Sequence, residues 1–378
     1  MSARFPRTLG VEEEYLLVDL ETRALVVDPP AELFEACERR HRGQVSPEFL
    51  RCQIEVGTPV CKSIQEARAH LIELRASIIE VAERFGYAPI ACSTHPFSRW
   101  EEQKTTDGAR YQAIEDELQG VVRRLTTCGM HVHVGVASEE VGIELMKQLK
   151  AFLPVLLGLS SSSPFWRGRD TGLNCYRLTV FDSLPRTGLP LDFEDHSAYQ
   201  RYLRRLGEYG VLQDASKLWW DLRPSARFPT LEMRITDTCT RLEDTLAITA
   251  LYWCLHAHFY RLKRRGLSWP VHPSHLIKEN RWLAQRYGLE RDLIDLQGGA
   301  LIEWSALIEH LRRLLAEEAT ELGCSAELDH LGEIIRRGTS ADRQRRVFNE
   351  LLSQGSSREE AFKGLVDDLI QETRAGVI

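Results

Sequence analysis

Apolar residues recur along this chain with two periods, and the switching between them predicts its elements. From Thr8 to Asp19 the apolar residues Leu9, Val11, Tyr15, Leu16, Leu17 and Val18 predict a strand that is at least half buried. Leu20-Glu21-Thr22-Arg23 separates it from the short apolar run Ala24 to Val27, a hairpin pattern. Phe49 to Gly57 (stopped by Pro59), Tyr87 to Ser93, Cys128 to Ala137 and Thr230 to Thr236 predict further strands. The helical period is clearest from Lys62 to Phe85, where Ile64, Ala67, Leu71, Leu74, Ile78, Val81 and Phe85 recur and Gly86 ends the pattern. Ala109 to Leu125 and Glu139 to Leu159 repeat it, and after Arg241 the reading is helical throughout: Leu242 to Leu262, Ser274 to Tyr287, Leu301 to Leu322 and shorter pieces. Ser160 to Pro190 follows neither period. It is dense in Ser, Gly, Pro and Arg, yet Phe165, Trp166, Tyr176 and Phe181 argue against disorder, so a long functional loop is expected. The fold class is α+β, an antiparallel or mixed sheet covered by helices. With no internal repeat or linker, residues 1–378 read as one domain, with 300–378 as its helical C-terminal extension.

Polar residues interrupt these strands at positions that share a face. Side chains alternate across a strand, so Glu12 and Glu14 lie on one side of the first strand and Glu13 on the other. Two carboxylates side by side repel and lose solvation unless they share a proton, meet cations or hold a metal. Glu55, the pair His131 and His133, and the pair Glu232 and Arg234 occupy comparable positions in other strands. If these faces coincide, one side of the sheet is a polar floor, and an oxygen-dominated set favours Mg²⁺ or Mn²⁺. Bland alternatives stay open: Glu55 paired with Arg51, Glu232 with Arg234, and the histidines as hydrogen-bonded core residues. His-x-His also serves zinc hydrolases, which makes a zinc site on His131 and His133 the rival reading. Arg167, Arg169, Arg177, Arg186, Arg223 and Arg227 suit an anionic ligand. Ser160 to Ser163 lacks the context of a nucleophile elbow.

Composition narrows the field. A net charge of −7 over 378 residues leaves no basic footprint for nucleic acid, and no apolar run is long enough to span a membrane. Met1-Ser2-Ala3-Arg4 is followed by no apolar core of a secretory leader. Nine scattered cysteines without a C-x-x-C pair read as reduced thiols of a cytoplasmic protein. No phosphate-loop or dinucleotide glycine motif is present.

Several segments together carry a resemblance: Gly10-Val11-Glu12-Glu13-Glu14-Tyr15, Gln53-Ile54-Glu55, Cys128-Gly129-Met130-His131-Val132-His133-Val134, Ser163-Pro164-Phe165-Trp166-Arg167-Gly168, Arg186-Thr187-Gly188, Trp219-Trp220-Asp221-Leu222-Arg223-Pro224 and Thr230-Leu231-Glu232-Met233-Arg234. The chain resembles the bacterial ATP-dependent carboxylate–amine ligases of glutamate–cysteine ligase type 2, from Leu9 to beyond Gly288, with little to match after Gly299. The resemblance implies a curved antiparallel sheet of about six strands, like the catalytic half-barrel of glutamine synthetase and the guanidino kinases, with helices outside. It implies an amide formed through an acyl phosphate, with ATP and Mg²⁺ (or Mn²⁺) as cofactors and a glutamate-like acid and a cysteine-like amine as substrates. Glu12, Glu14, Glu55, His131 and Glu232 would be the metal ligands. Arg234 would meet the transferred phosphoryl group, Arg177 would orient an anionic substrate group, and His133 would join Glu232 and Arg234 in binding nucleotide. Glu13 should not be a ligand, and the Arg-rich loop is a candidate lid. A relative that binds nucleotide without turnover is a further alternative, and a homodimer is the default assembly.

Overall fold

Strand β1 (Leu9–Asp19) is the hub of the computed structural model, which describes residues 5–212 and 215–378. Its odd-numbered main-chain groups turn toward the side of β2 (Val45–Pro47) and β3 (Gln53–Gly57), as where Leu17 N–H donates to Cys52 O at 2.8 Å. Its even-numbered groups turn to β4 (Tyr87–Ile90) and β5 (Met130–Gly135), as where Glu14 N–H donates to Gly129 O at 3.1 Å. Strands β6 (Leu222–Pro224) and β7 (Thr230–Met233) complete a seven-stranded sheet of order β6-β7-β5-β1-β3-β2, with β4 also on β1. Every pairing in it is antiparallel, as expected for the fold class. The three-residue strands β2 and β6 are too short to show a period, which is why the pattern did not mark them.

The odd face of the sheet is the core. Val11, Val132, Val134 and Leu231 pack with Leu71 and Leu246, and Tyr15, Leu17, Ile54 and Val56 with Leu74 and Ile78. These partners come from the helices Ile64–Glu83 and Leu242–Arg264, and burying each such side chain contributes about 1.5–3 kcal/mol. The first helix starts where Ser63 Oγ accepts Glu66 N–H (3.2 Å) while Glu66 accepts Lys62 N–H (2.7 Å). The even face is divided. Leu16 and Val18 are covered by Val366, Leu369 and Ile370 of the last helix, Arg358–Arg374. Glu12 and Glu14 lie beyond that cover.

Three expected helices are interrupted. Glu139 to Leu159 divides into Glu139–Leu149 and Leu153–Ser160, with Pro154 in the first turn of the second, where its missing N–H costs nothing. Ala109 to Leu125 ends as a helix at Leu118, before Gln119 at φ 49°, and continues as a 3₁₀ turn. Leu301 to Leu322 begins as a ribbon with Leu293–Ile294 and becomes the helices Trp304–Leu314 and Ala316–Leu322. The stretch 160–190 is built into the body: Ser160 to Ser163, Phe165 and Arg177 are buried, and Arg177–Phe181 is a short helix. It forms a wall rather than a free flap. All nine cysteines are free and buried, and no helix among the described residues is long and apolar enough to cross a membrane. The Met1–Arg4 segment lies outside the described residues.

Candidate active site

Residues opposite one another in a ladder project from the same face, so the register decides whether the polar strand positions meet. Glu14 stands opposite Glu55, and Ser46 opposite Glu55 on the next strand. Glu12 stands opposite His131, His133 opposite Glu232, and Glu232 opposite Arg223. The even face is therefore one continuous polar floor across β2, β3, β1, β5, β7 and β6. It carries Glu12, Glu14, Glu55, His131, His133 and Glu232, all expected from the sequence. Glu13 is on the core face, fully buried and bonded to Arg75 (2.6 and 2.9 Å), Thr245 (2.7 Å) and Tyr15. It takes no part in the floor.

Three overlapping sets on the floor bring ligand atoms within 4.8 Å of one another: Glu12, Glu55 and His131; Glu12, His133 and Glu232; and Glu14, Glu48 and Glu55. Glu48 was missed by the sequence reading. It follows the three-residue β2 directly, and the only signal was a carboxylate beside Phe49, where a strand was expected. Glu55 is not paired with Arg51, whose guanidinium is taken by Asp28 and Asp107. The two histidines fall in different sets, each with two carboxylates. This geometry is unlike the imidazole-dominated site a zinc hydrolase would need.

Electrostatics separate the two ends of the floor. Burial and the Glu55 carboxylate push Glu14 up to about 7. Burial, Glu48 and Glu12 push Glu55 well above the usual carboxylate range. At the other end burial works against Glu232, yet the Arg234 and Arg223 guanidiniums hold it well below that range. Arg223 donates to it at 2.9 and 3.2 Å, and Arg234 touches it directly. Glu12, between the ends, is half-buried, and burial works against its charge, but the hydrogen bond from His131 and the nearby His133 imidazole hold it low. Burial and Arg234 lower His131 to about 4, so its 3.2 Å contact with Glu12 is a neutral imidazole N–H meeting a carboxylate. His133 is raised: burial opposes its charge, but Glu12 outweighs burial. Its Nδ1 bonds Thr230 Oγ1 at 3.0 Å.

His131 Nε2 and His133 Nε2 are buried without a hydrogen-bond partner; His133 Nε2 approaches Glu12 at 3.4 Å, but poorly aligned. Carboxylates that repel one another and orphaned imidazole nitrogens are groups that a divalent cation would satisfy, and the oxygen-rich donor set fits Mg²⁺ or Mn²⁺.

The arginines are dispersed. Arg234 is at the floor, with its Nε buried and unpartnered. Arg177 is only 2 % exposed, donates to the main-chain oxygens of Arg234 (3.2 Å) and Ile235 (3.4 Å), and fills the space beside Glu14 into which a Cβ on Gly129 would point. Arg167 pairs with Glu101, Arg186 donates to Lys217 O, and Arg169 and Arg227 are exposed. Arg223, offered by the sequence only as part of a cluster, is a direct partner of Glu232.

The description of glutamate–cysteine ligase family 2 matches residues 8–370. The chain belongs to that family. The match runs through the C-terminal helices, so these are part of the family's pattern and not the unmatched tail expected after Gly299. A Rhodospirillum rubrum protein is 50% identical over 372 residues, covering 97% of this chain and 96% of its own. A Jannaschia protein is 50% identical over 365 residues, with the same two coverages. Both carry the provisional name glutamate–cysteine ligase 2. Among solved structures, the Francisella tularensis glutamate–cysteine ligase in complex with AMP superposes with a TM-score of 0.70 at 12% identity, covering 97% of this chain and 89% of that one. A bifunctional glutathione synthetase from Pasteurella multocida gives 0.66 at 14% identity, covering 98% and 53%. At such identities these likenesses speak for the fold of this family-2 ligase chain, and the fold agrees with the one expected.

Proposed function

We propose that the polar floor is the active site of an ATP-dependent carboxylate–amine ligase, with a glutamate-like acid and a cysteine-like amine as the first substrates to test. The observation that supports this best is the alignment of three carboxylate-rich sets along one face, ending at Arg223 and Arg234. Glu12, Glu14, Glu48, Glu55, His131 and Glu232 would hold divalent cations. When bound, these neutralise the nucleotide phosphates and stabilise charge developing in transfer.

The chain's own groups do the rest. The acid's carboxylate oxygen forms a bond to the γ-phosphorus as the bond to the β-phosphate oxygen breaks and ADP leaves. Arg234, whose Nε is without a partner, would meet the phosphoryl group in transit. His133, raised despite burial by its contact with Glu12, would join Glu232 and Arg234 in binding the nucleotide. The amine then attacks the acyl carbon, loses a proton, and phosphate departs. An acyl phosphate hydrolyses if wet, so the packed wall of residues 160–190 serves by keeping water out. Arg177, buried beside Glu14, acts on an anionic substrate through its field and by holding the chain just past β7.

We read the whole chain as one ligase domain, with residues 300–378 bracing it and a homodimer as its assembly. Nine reduced thiols suit the cytoplasm. The test is ADP release with Mg²⁺-ATP across a grid of acids and amines, beginning with glutamate and cysteine. Release that requires both an acid and an amine supports the ligase. Absence of turnover with every pair in folded protein contradicts it.

A further inference from the structure

The run Ser160 to Ser163 surrounds a carboxylate that belongs to none of the three acidic sets. Asp237, just past β7, is fully buried, and its side chain accepts three hydrogen bonds. Its Oδ2 accepts Ser162 N–H (2.9 Å) and the Ser163 hydroxyl (2.7 Å), and its Oδ1 accepts the Cys175 thiol (3.0 Å). Its own N–H donates to Ser160 Oγ at 3.2 Å. Donors around a carboxyl favour its anion, and a buried anion is costly unless a cation faces it. Burial does raise Asp237, and the charge of Arg177 leads the effects that counter it.

Two routes join Asp237 to the floor. Ser163 Oγ, which donates to Asp237, accepts Arg177 N–H at 3.1 Å and so fixes the start of the 177–181 helix. Gly129 is bridged to Asp237 and donates its N–H to Glu14 Oε2 at 2.7 Å. A Cβ on Gly129 would collide with the Arg177 guanidinium, so this glycine lets the cation close against the strand beside Glu14. Thr238, next in the chain, donates its hydroxyl to Glu14 O at 3.2 Å.

We propose that Asp237 is a positioning residue for the acidic end of the floor. It balances the Arg177 charge and holds Arg177 and Gly129 in place, so that Glu14 keeps its orientation and its affinity for a divalent cation. The serine run is the scaffold of this device. The inference rests on the reading of the floor as a cation site.

Mn²⁺ binding, followed by the electron paramagnetic resonance signal of the free ion, tests it without requiring turnover. Asp237→Asn is nearly isosteric: its oxygen can still accept from Ser162 and Ser163, and its NH₂ can donate to the Cys175 sulfur. Only the charge is lost, and an unbalanced Arg177 beside Glu14 should weaken Mn²⁺ binding by about tenfold. Ser163→Ala keeps the charge and cuts the link to the Arg177 amide, for a weakening of about threefold. Ser161→Ala removes a hydroxyl of the same run that donates to Leu157 O (3.1 Å), and it should leave Mn²⁺ binding unchanged. Wild-type affinity in folded Asp237→Asn overturns the proposal. If that variant does not fold, wild-type affinity in Ser163→Ala does so. If the unaltered protein binds no Mn²⁺, the cation reading of the floor itself is what fails.

Discussion

Glu13 and its neighbours Glu12 and Glu14 are the same residue type on one strand, yet they live under opposite rules. On the core face Glu13 is saturated: Arg75, Tyr15 and Thr245 satisfy its oxygens, and Arg75 also donates to Cys239 O and Thr240 O. On the other face Glu14 has one main-chain donor, Gly129 N–H, and faces another carboxylate across the ladder. A buried charge with every partner supplied is architecture. A buried charge set against its like stores repulsion that a bound cation can release, and this is why the contrast points to the even face as the place of chemistry.

The sharpest way to break the comparison is to remove one charge from each face. Glu55→Gln should lower turnover by about 10³-fold, the scale of losing one group that stabilises charge in the transition state. The same change should raise the thermal midpoint of the cation-free protein, because it relieves repulsion from Glu48 and Glu12. Turnover like the unaltered protein would remove Glu55 from the site. On the core face Arg75→Met should destabilise by about 3–5 kcal/mol in denaturant titration by leaving Glu13 unpaired. The double variant Arg75→Met/Glu13→Gln should recover part of that loss. A single variant as stable as the starting protein would show that the pair is not the anchor described here.

Proton linkage sharpens the contrast, because the two faces should slope in opposite directions. Glu13 is held below its ordinary value: burial opposes this, but Arg75 prevails. Its contribution is therefore complete above about 4.5, and is lost as pH falls through the depressed value. Glu14 is raised from 4.5 to about 7. Between those values the folded protein holds a proton the unfolded chain has released, so stability should fall as pH rises, by up to about 3 kcal/mol. Unfolding in EDTA from pH 4.5 to 7 should show this slope, and Glu14→Gln should flatten it. An unchanged slope in Glu14→Gln would contradict the assignment. The smallest expected effect is Tyr15→Phe, which removes one donor to Glu13 and should cost about 1 kcal/mol without altering Mn²⁺ binding.

Much of this was legible in the residues. The strand β1, the opposite facing of Glu13, and the identities of Glu55, His131, His133 and Glu232 follow from a period of two broken by charged residues. What no pattern carried was adjacency. That Glu14 opposes Glu55, and His133 opposes Glu232, is set by a register among strands far apart in sequence. Glu48 escaped because it follows a strand of three residues. The break at Leu315 escaped because neither proline nor glycine marks it. That Arg177 also braces the carbonyls of Arg234 and Ile235 was not legible either, because a sequence shows an arginine near glycines but not the main chain it bonds. Asp237 carried no signal at all, since one acidic residue after a strand is ordinary until three donors are seen to converge on it.

The most direct test of the central claim is anomalous diffraction from crystals grown with Mn²⁺ and a non-hydrolysable ATP analogue. The account predicts manganese peaks on the even face of β1, within coordination distance of Glu12, Glu14 and Glu55. A lone peak held by His131 and His133 without those carboxylates, or no peak on that face, would contradict it.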